Sequence, residues 1–130
     1  MALSGRIKEL KAKYVGWYEK IGKVRCDILD CDIVFNKKGF QHLFFKTNGI
    51  RRNDGDIRMR LGIIKHAPMI VRKARRMGDA RVIQNEKSGQ DVSYYSLIHR
   101  VGEKRTLIEV ILRKVGKGDI HYYSIRYGRK

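Results

Sequence analysis

Three residues of one short basic segment could carry out acid–base chemistry together. Lys38, His42 and Lys46 recur at intervals of four, so a helix over residues 37–46 would place them on one face. Two flanking ammonium groups would disfavour the imidazolium form and lower the pKa of His42 from its ordinary value of about 6.5. A neutral imidazole among cations suits a general base that acts on a hydroxyl next to a phosphate. A solvated basic helix face with an incidental histidine explains the same spacing.

Two arginines follow in a glycine-containing loop. Arg51 and Arg52 lie in TNGIRRNDGD, residues 47–56. Paired guanidinium groups on a loop can hold a phosphate through bidentate hydrogen bonds. A charged turn without a ligand explains the pair almost as well.

The end of the chain carries a third group of polar and aromatic side chains. Its members are Arg113, Lys114, His121, Tyr123, Ser124 and Arg126. In a regular strand His121 and Tyr123 share one face. Ser124 and Arg126 share the other, and either pair could complete a site with His42. Tyrosines interleaved with basic residues can stack unpaired bases, although tyrosine is also an ordinary strand residue.

Net charge is the strongest compositional signal. The chain of 130 residues has 30 Lys and Arg against 13 Asp and Glu, a formal charge of +17 at pH 7. Residues 41–77 hold 10 basic and 2 acidic side chains, and residues 104–130 hold 8 and 2. Residues 78–103 hold 3 and 4. This uneven excess favours a polyanionic partner, and RNA is the one we expect.

Motifs for several other chemistries are absent from the sequence. It has no P-loop, no HExxH motif, no GxSxG elbow and no dinucleotide-binding fingerprint. Asp27, Asp30 and Asp32 form the one dense acidic group, which is poor support for a two-metal nuclease. Cys26 and Cys31, five apart in one strand, would point to opposite faces, so we expect neither a local disulfide nor a cysteine-based zinc site.

The remaining chemistry needs no metal or cofactor. In RNA the 2′-hydroxyl is a built-in nucleophile for the adjacent phosphodiester. A base, an acid and a phosphate-stabilising cation are then sufficient.

Helical periodicity dominates up to Gly78. One apolar face over residues 3–21 predicts an amphipathic helix capped by Ser4, with Trp17 in the core. Further helices are predicted for residues 37–46, 56–67 and 68–77, and a short strand for residues 32–35. No apolar run is long enough to span a membrane.

After Gly78 the period changes from 3.6 to 2. Four strands are predicted: ARVIQN (80–85), DVSYYSLIHR (91–100), RTLIEVILR (105–113) and DIHYYSIRY (119–127). Short links between them imply antiparallel pairing. The predicted fold class is α+β, with N-terminal helices packed on one face of a four-stranded antiparallel sheet and the other face left for function. We predict one domain over residues 1–130, made of an N-terminal helix (1–22), a mainly helical part (23–78) and the sheet (79–130).

This order of elements resembles a known superfamily. A helical part containing His42, followed by a sheet that ends in DIHYYSIRYG, resembles the barnase/colicin/RelE-like superfamily of small metal-independent ribonucleases, and within it the phage-associated and colicin D-like branches. The resemblance covers roughly residues 32–127. It implies a catalytic histidine with basic residues on an early helix and polar residues on the closing strands. Carried onto this chain, FNKKGFQHLFFK gives His42 and Lys46, and HYYS gives His121 and Ser124.

These features together predict a small RNA endonuclease that cleaves by attack of the 2′-hydroxyl, with action as a toxin as one expected role. His42 would act as general base or acid, with His121 or a tyrosine as its counterpart. Arg51, Arg52 and Arg113 would hold and neutralise the phosphate. Lys38, Lys114, Tyr123 and Arg126 complete the expected binding surface.

The expected partners are RNA and an acidic immunity or antitoxin protein, with no membrane. The expected location is a cytoplasm, that of the producing cell or of a target cell. A non-catalytic RNA- or DNA-binding module is the main alternative. A structural protein packaged with nucleic acid is a third interpretation.

Overall fold

Helices and strands alternate in the first part of the chain, and strands alone make up the rest. The computed structural model describes residues 3–78, 81–84 and 89–128. The helices are α1 (Gly5–Glu19), α2 (Lys37–Gln41), α3 (Asp54–Ile63) and α4 (Ala67–Lys73), with a 3-10 turn at Ile64–His66. The strands are β1 (Lys23–Cys26), β2 (Cys31–Val34), β3 (Arg76–Met77), β4 (Arg81–Gln84), β5 (Asp91–Val101), β6 (Thr106–Val115) and β7 (His121–Tyr127). The fold class is therefore α+β, as predicted.

The sheet is larger than the sequence predicts. Its strand order is β1-β2-β7-β6-β5-β3, and β4 also pairs with β5. The four predicted strands do pair antiparallel in chain order, as β4, β5, β6 and β7. The prediction of a four-stranded, wholly antiparallel sheet is wrong, because the β1–β2 hairpin joins β7 through a parallel bridge between Val34 and His121. Residues 80 and 85 of the first predicted strand lie outside the described residues.

One hydrophobic cluster joins the helices to one face of the sheet. The helices contribute Ile7, Tyr18, Ile57, Leu61 and Ile70 to it. On β6 the alternation is regular, with Ile108, Val110 and Leu112 buried in the cluster. Glu109 and Ile111, between them, line a cleft on the opposite face. The central strands thus have one face covered by helices and one available for function.

The first helix begins as predicted but buries a different aromatic residue. Ser4 caps α1, and its Oγ accepts a hydrogen bond from the backbone of Ile7 at 3.3 Å. Trp17 is 39% exposed, so the prediction that it packs in the core is wrong. Tyr18 is buried instead, because its hydroxyl can donate to the carbonyl of Asn36 at 2.7 Å.

The third and fourth helices follow the predicted segments with different ends. Ile57 and Leu61 of α3 are buried, as predicted. Pro68 lies in the first turn of α4. Backbone N–H groups there make no hydrogen bond within the helix, so a proline, which lacks the N–H, is tolerated. The predicted continuation to residue 77 is wrong, because Arg76 and Met77 pair with β5 as β3. No helix within residues 3–78 or 89–128 combines the length and apolar composition needed to cross a membrane.

The two cysteines are neighbours, contrary to the sequence prediction. Cys26 and Cys31 are direct cross-strand partners at the closed end of the β1–β2 hairpin. The prediction of opposite faces assumed one continuous strand, whereas the chain reverses through a turn that includes Asp30 at φ 54°. Cross-strand partners lie on the same face of a sheet. Both thiols are free in this structure.

The close approach of α2 to β7 gives a testable requirement for glycine. A Cβ at Gly39 would lie 2.4 Å from the carbonyl oxygen of Tyr122 and 2.7 Å from its ring. We expect Gly39→Ala to reduce the free energy of unfolding by about 2 kcal/mol or more, because a backbone oxygen cannot move aside cheaply. The matched control is Gly16→Ala in α1, whose Cβ would meet none of the described residues within 4 Å. That change should stabilise the protein by up to about 1 kcal/mol through helix propensity.

Urea unfolding of the two variants measures both effects. Equal effects of the same sign at the two positions would contradict this packing of α2 against β7.

Candidate functional site

A cleft of about 700 Å³ opens on the sheet face that the helices leave uncovered. Side chains of β5, β6 and β7 line it, together with the loop after α2 and with α3. Six of the predicted site residues lie in this one cleft: His42, Lys46, Arg52, Tyr123, Ser124 and Arg126. The structure therefore brings together residues from the early helical part and from the last strand.

A β-bulge in β7 unites side chains that a regular strand would separate. Ser124 pairs with Ile111 of β6, and Tyr122 pairs with the very next β6 residue, so Tyr123 is an extra residue. Tyr123 and Ser124 therefore both line the cleft, while Tyr122 lies in the core. The strict alternation predicted for this strand is wrong. Tyr123, Ser124 and Arg126, which that alternation divided between two faces, line one cleft.

The second helix is shorter than the prediction of residues 37–46. α2 ends before His42, which forms its C-cap. The chain then turns back through an isolated β-bridge between Phe45 and Arg51. A short helix with an internal glycine gains little by extension, so the bridge prevails. Lys38, His42 and Lys46 consequently do not share a helix face, although all three line one groove.

His42 contacts a hydroxyl, an aromatic ring and a cation. Its Nε2 lies 3.3 Å from Oγ1 of Thr47, and that hydroxyl lies 2.7 Å from Oη of Tyr123. The rings of His42 and Tyr123 have centroids 4.2 Å apart and planes inclined at 33°. Nη2 of Arg52 lies 3.3 Å from Nδ1 of the imidazole. These contacts fix the ring and connect it to Tyr123 through one hydroxyl.

The imidazole of His42 is neutral at ordinary pH. Burial, and then the positive charges of Arg52, Arg60 and Arg113, lowers the pKa of His42 to about 4. The direction agrees with the sequence prediction. The cause differs, because the prediction assigned the lowered pKa of His42 to the two flanking lysines.

Two arginines share the carboxylate of Asp56. Nη1 of Arg52 lies 3.1 Å from Oδ2 of Asp56, and Nε of Arg60 lies 2.9 Å from Oδ1. Burial acts to raise the pKa of Asp56, but the hydrogen bonds and charges of Arg60 and Arg52 outweigh it and hold the pKa below its ordinary value. Arg52 also donates from Nε to the carbonyl of His42 at 2.9 Å. Nη1 of Arg60 donates to Oγ of Ser124 at 2.8 Å. The carboxylate of Asp56 therefore orients one cation toward each side of the cleft.

The predicted phosphate clamp of Arg51 and Arg52 is not formed. Arg52 is only 7% exposed, and its nitrogens contact His42 and Asp56. Arg51 pairs with Asp54, donates to the carbonyl of Arg52 at 2.8 Å and does not line the cleft. Asp54 and Asp56, in the first turn of α3, pair with Arg51 and Arg52 respectively.

The other predicted site residues lie beside the cleft or away from it. Arg113 and His121 are cross-strand partners on β6 and β7. The guanidinium carbon of Arg113 lies 5.5 Å from the ring centroid of Tyr123, and the His121 ring lies 6.4 Å from it. Lys38 lines a neighbouring groove. Lys114 follows Arg113 on the alternating strand and lines a different depression, so the structure does not bring it into the cleft.

Four important residues of the cleft and its supporting network are not among the predicted ones. They are Thr47, Asp56, Arg60 and Glu109. The spacing of four between Asp56 and Arg60, inside a predicted helix, is a signal for an ion pair. Glu109 pairs with Arg126 at 2.6 Å, but that contact depends on the register of β6 with β7, which the sequence does not display.

Comparisons with protein-family models, curated proteins and solved structures give no match for this chain. The resemblance to the barnase/colicin/RelE-like superfamily therefore stays a hypothesis. Within the described part of the chain, no group of three or more His, Cys, Asp or Glu side chains converges as metal ligands would.

The low pKa of His42 predicts a defined pH response. The unfolded chain protonates this residue near pH 6.5, whereas the folded chain does so only near pH 4. Acidification through this window should therefore destabilise the fold, because the unfolded state binds the extra proton. We expect the imidazole signals of His42 in a two-dimensional NMR titration to stay those of the neutral ring until the pH approaches 4.

His42→Ala identifies the signals and should remove its share of the acid destabilisation. A ring that titrates near its ordinary value of about 6.5 would show that the cations and burial do not act as the geometry indicates.

Proposed function

We propose that this chain is a small, basic RNA endonuclease that cleaves by attack of the 2′-hydroxyl without a metal ion. The observation that carries the proposal is the neutral imidazole of His42, fixed among arginines in a cleft with tyrosines in its lining. Base, phosphate-binding cation and acid must converge on one phosphodiester, and this cleft offers a group for each role.

His42 is the proposed general base. A neutral ring can take the proton of the 2′-hydroxyl while O2′ attacks phosphorus. With a pKa of about 4 the free imidazole is a weak base. A bound phosphate adds a negative charge nearby, which raises the pKa of His42. Its basicity would thus increase when the substrate is in place.

Arg60 and Lys46 are the proposed phosphate ligands. Nε of Arg60 donates a hydrogen bond to Asp56, and Nη1 donates to Ser124 and to the backbone of β7. Nη2 of Arg60 makes no hydrogen bond to the described residues, so this nitrogen can donate to an anion. Lys46 is exposed and lines the same cleft. Arg52, whose nitrogens contact protein groups, acts as a positioning residue for His42.

Tyr123 is the proposed general acid. It would donate its phenolic proton to O5′ as the P–O5′ bond breaks, which leaves a 2′,3′-cyclic phosphate and a 5′-hydroxyl. The proton taken by His42 can return to Tyr123 through Thr47, whose hydroxyl lies 3.3 Å from one and 2.7 Å from the other. His121, the predicted alternative, does not line the cleft, whereas Tyr123 does.

Aromatic groups beside the cations favour single-stranded RNA as substrate. The rings of Tyr94 and Tyr123 meet edge to face with centroids 5.7 Å apart. Arg113 lies close to the same ring of Tyr123. Unpaired bases stack on such rings and on guanidinium planes, whereas paired bases in a duplex are not accessible to them.

An enzyme of this kind must be restrained in the cell that makes it. We propose that it acts in a cytoplasm, its own or that of a target cell, as a toxin held in check by an acidic immunity or antitoxin protein. With a formal charge of +17, association with an acidic inhibitor would be electrostatically accelerated.

A non-catalytic RNA- or DNA-binding module is the second candidate. One observation favours it: exposed basic side chains also lie outside the cleft. Arg72, Lys73, Arg75 and Arg76 form such a group. A broad basic face binds phosphates without any need for His42.

Cleavage in the presence of EDTA tests the proposal. We expect His42→Ala to lower the initial rate of cleavage of a fluorescent single-stranded RNA by about a hundredfold or more, because a general base is lost. Binding of a non-cleavable 2′-O-methyl strand, followed by fluorescence anisotropy, should change little, since many cations share that task. The matched control is His66→Ala, which alters a histidine in a separate groove and should retain the wild-type rate.

Equal cleavage by wild type and His42→Ala would remove His42 from the mechanism. Tight binding by wild type without any cleavage would favour the binding module.

A further inference from the structure

A second groove, of about 290 Å³, adjoins the cleft on the side of α2. It shares His42, Lys46, Thr47 and Tyr123 with the cleft, so the two depressions form one continuous path. Lys38 of α2 lines the second groove and not the first. A ligand longer than one nucleotide can therefore follow the surface from one depression into the other.

The charged groups of the second groove are all cationic. Lys38 and Lys46 line it, and none of the described residues in its lining carries a carboxylate. The cleft differs in this respect, because Glu109 lines it and pairs with Arg126. An anion in the second groove would meet lysines whose charge no carboxylate in the lining offsets.

Two residues beside Tyr123, His121 and Arg113, each contain a buried nitrogen atom. Nε2 of His121 and Nε of Arg113 have no hydrogen-bond partner among the described residues. His121 is nine-tenths buried and faces Arg113 across the β6–β7 ladder. Burial, and then the charges of Arg113 and Lys38, lowers the pKa of His121. The cations on this side of Tyr123 are Lys38, Lys46 and Arg113.

We propose that the second groove binds a second phosphate of the same strand, so that the ligand is a single-stranded polynucleotide and not a mononucleotide. This inference rests on the proposed function, since it takes the cleft as the site of the scissile phosphate. Tyr123, common to both depressions, lies between the two phosphate positions. Lys38 is the residue that distinguishes the second position from the first.

Binding of non-cleavable strands of different length tests this subsite. The probes are fluorescent 2′-O-methyl oligouridylates with one, two or four phosphates, measured by anisotropy with the full chain. We expect wild-type affinity to rise by about tenfold or more from one phosphate to four, through added phosphate contacts. Lys38→Ala should weaken binding of the longest probe by about threefold and leave the shortest unchanged. Its slope of log affinity against log salt should also become shallower by about 0.7, the loss of one phosphate contact on a single strand.

Lys37→Ala is the matched control, since Lys37 is the adjacent lysine and lines a separate groove against α1. It should bind every probe as the wild type does. Equal affinity for all lengths, or equal weakening by Lys37→Ala and Lys38→Ala, would overturn the subsite.

The result is separable from the proposed catalysis because the probes cannot be cleaved. Wild-type protein that cleaves RNA but shows no length dependence would keep the proposed function and lose the subsite. Length-dependent binding that is sensitive to Lys38 would support the subsite even in a protein without nuclease activity.

Discussion

A single carboxylate, that of Asp56, holds together the parts of the protein that form the cleft. Arg52, on one side, reaches the backbone and ring of His42. Arg60, on the other, reaches Ser124 and the backbone of β7. The side chains of the two arginines are only 8% and 12% exposed, so their mutual repulsion is weakly screened. Without an anion between them, the two guanidinium groups would repel each other where they face the same cleft.

The charge balance of this network explains why the cleft suits an anion. Two guanidinium groups share one carboxylate, which leaves one positive charge, and Lys46 adds another at the same cleft. Burial, and then the charges of Arg52 and Arg60, lowers the pKa of His42 to about 4, so a basic site contains a neutral imidazole that is able to accept a proton. The bulge in β7 then adds the Tyr123 ring and the Ser124 hydroxyl on one side of the strand. Structural and chemical roles therefore fall on the same few residues.

Local periodicity and composition encode three features that could be predicted. They are the α+β class, the antiparallel order of the last strands and the basic surroundings of His42. Pairing register is different, because it depends on contacts between distant segments. The bulge at Tyr123 and the cross-strand position of Cys26 and Cys31 follow from register, and alternation within one strand gave the wrong faces in both cases. The burial of Arg52 likewise depends on a partner in α3, although the Asp56–Arg60 spacing was visible in the sequence.

The chemistry of the cut ends tests the central claim most directly. A single-stranded RNA of defined sequence, incubated with the wild-type protein in EDTA, can be analysed by mass spectrometry of its fragments. If the 2′-hydroxyl is the nucleophile, we expect fragments that end in a 2′,3′-cyclic phosphate, partners that begin with a 5′-hydroxyl, and no cut at a position that carries a 2′-deoxyribose. Fragments with 3′-hydroxyl and 5′-phosphate ends, or cleavage of an all-deoxy strand, would contradict it.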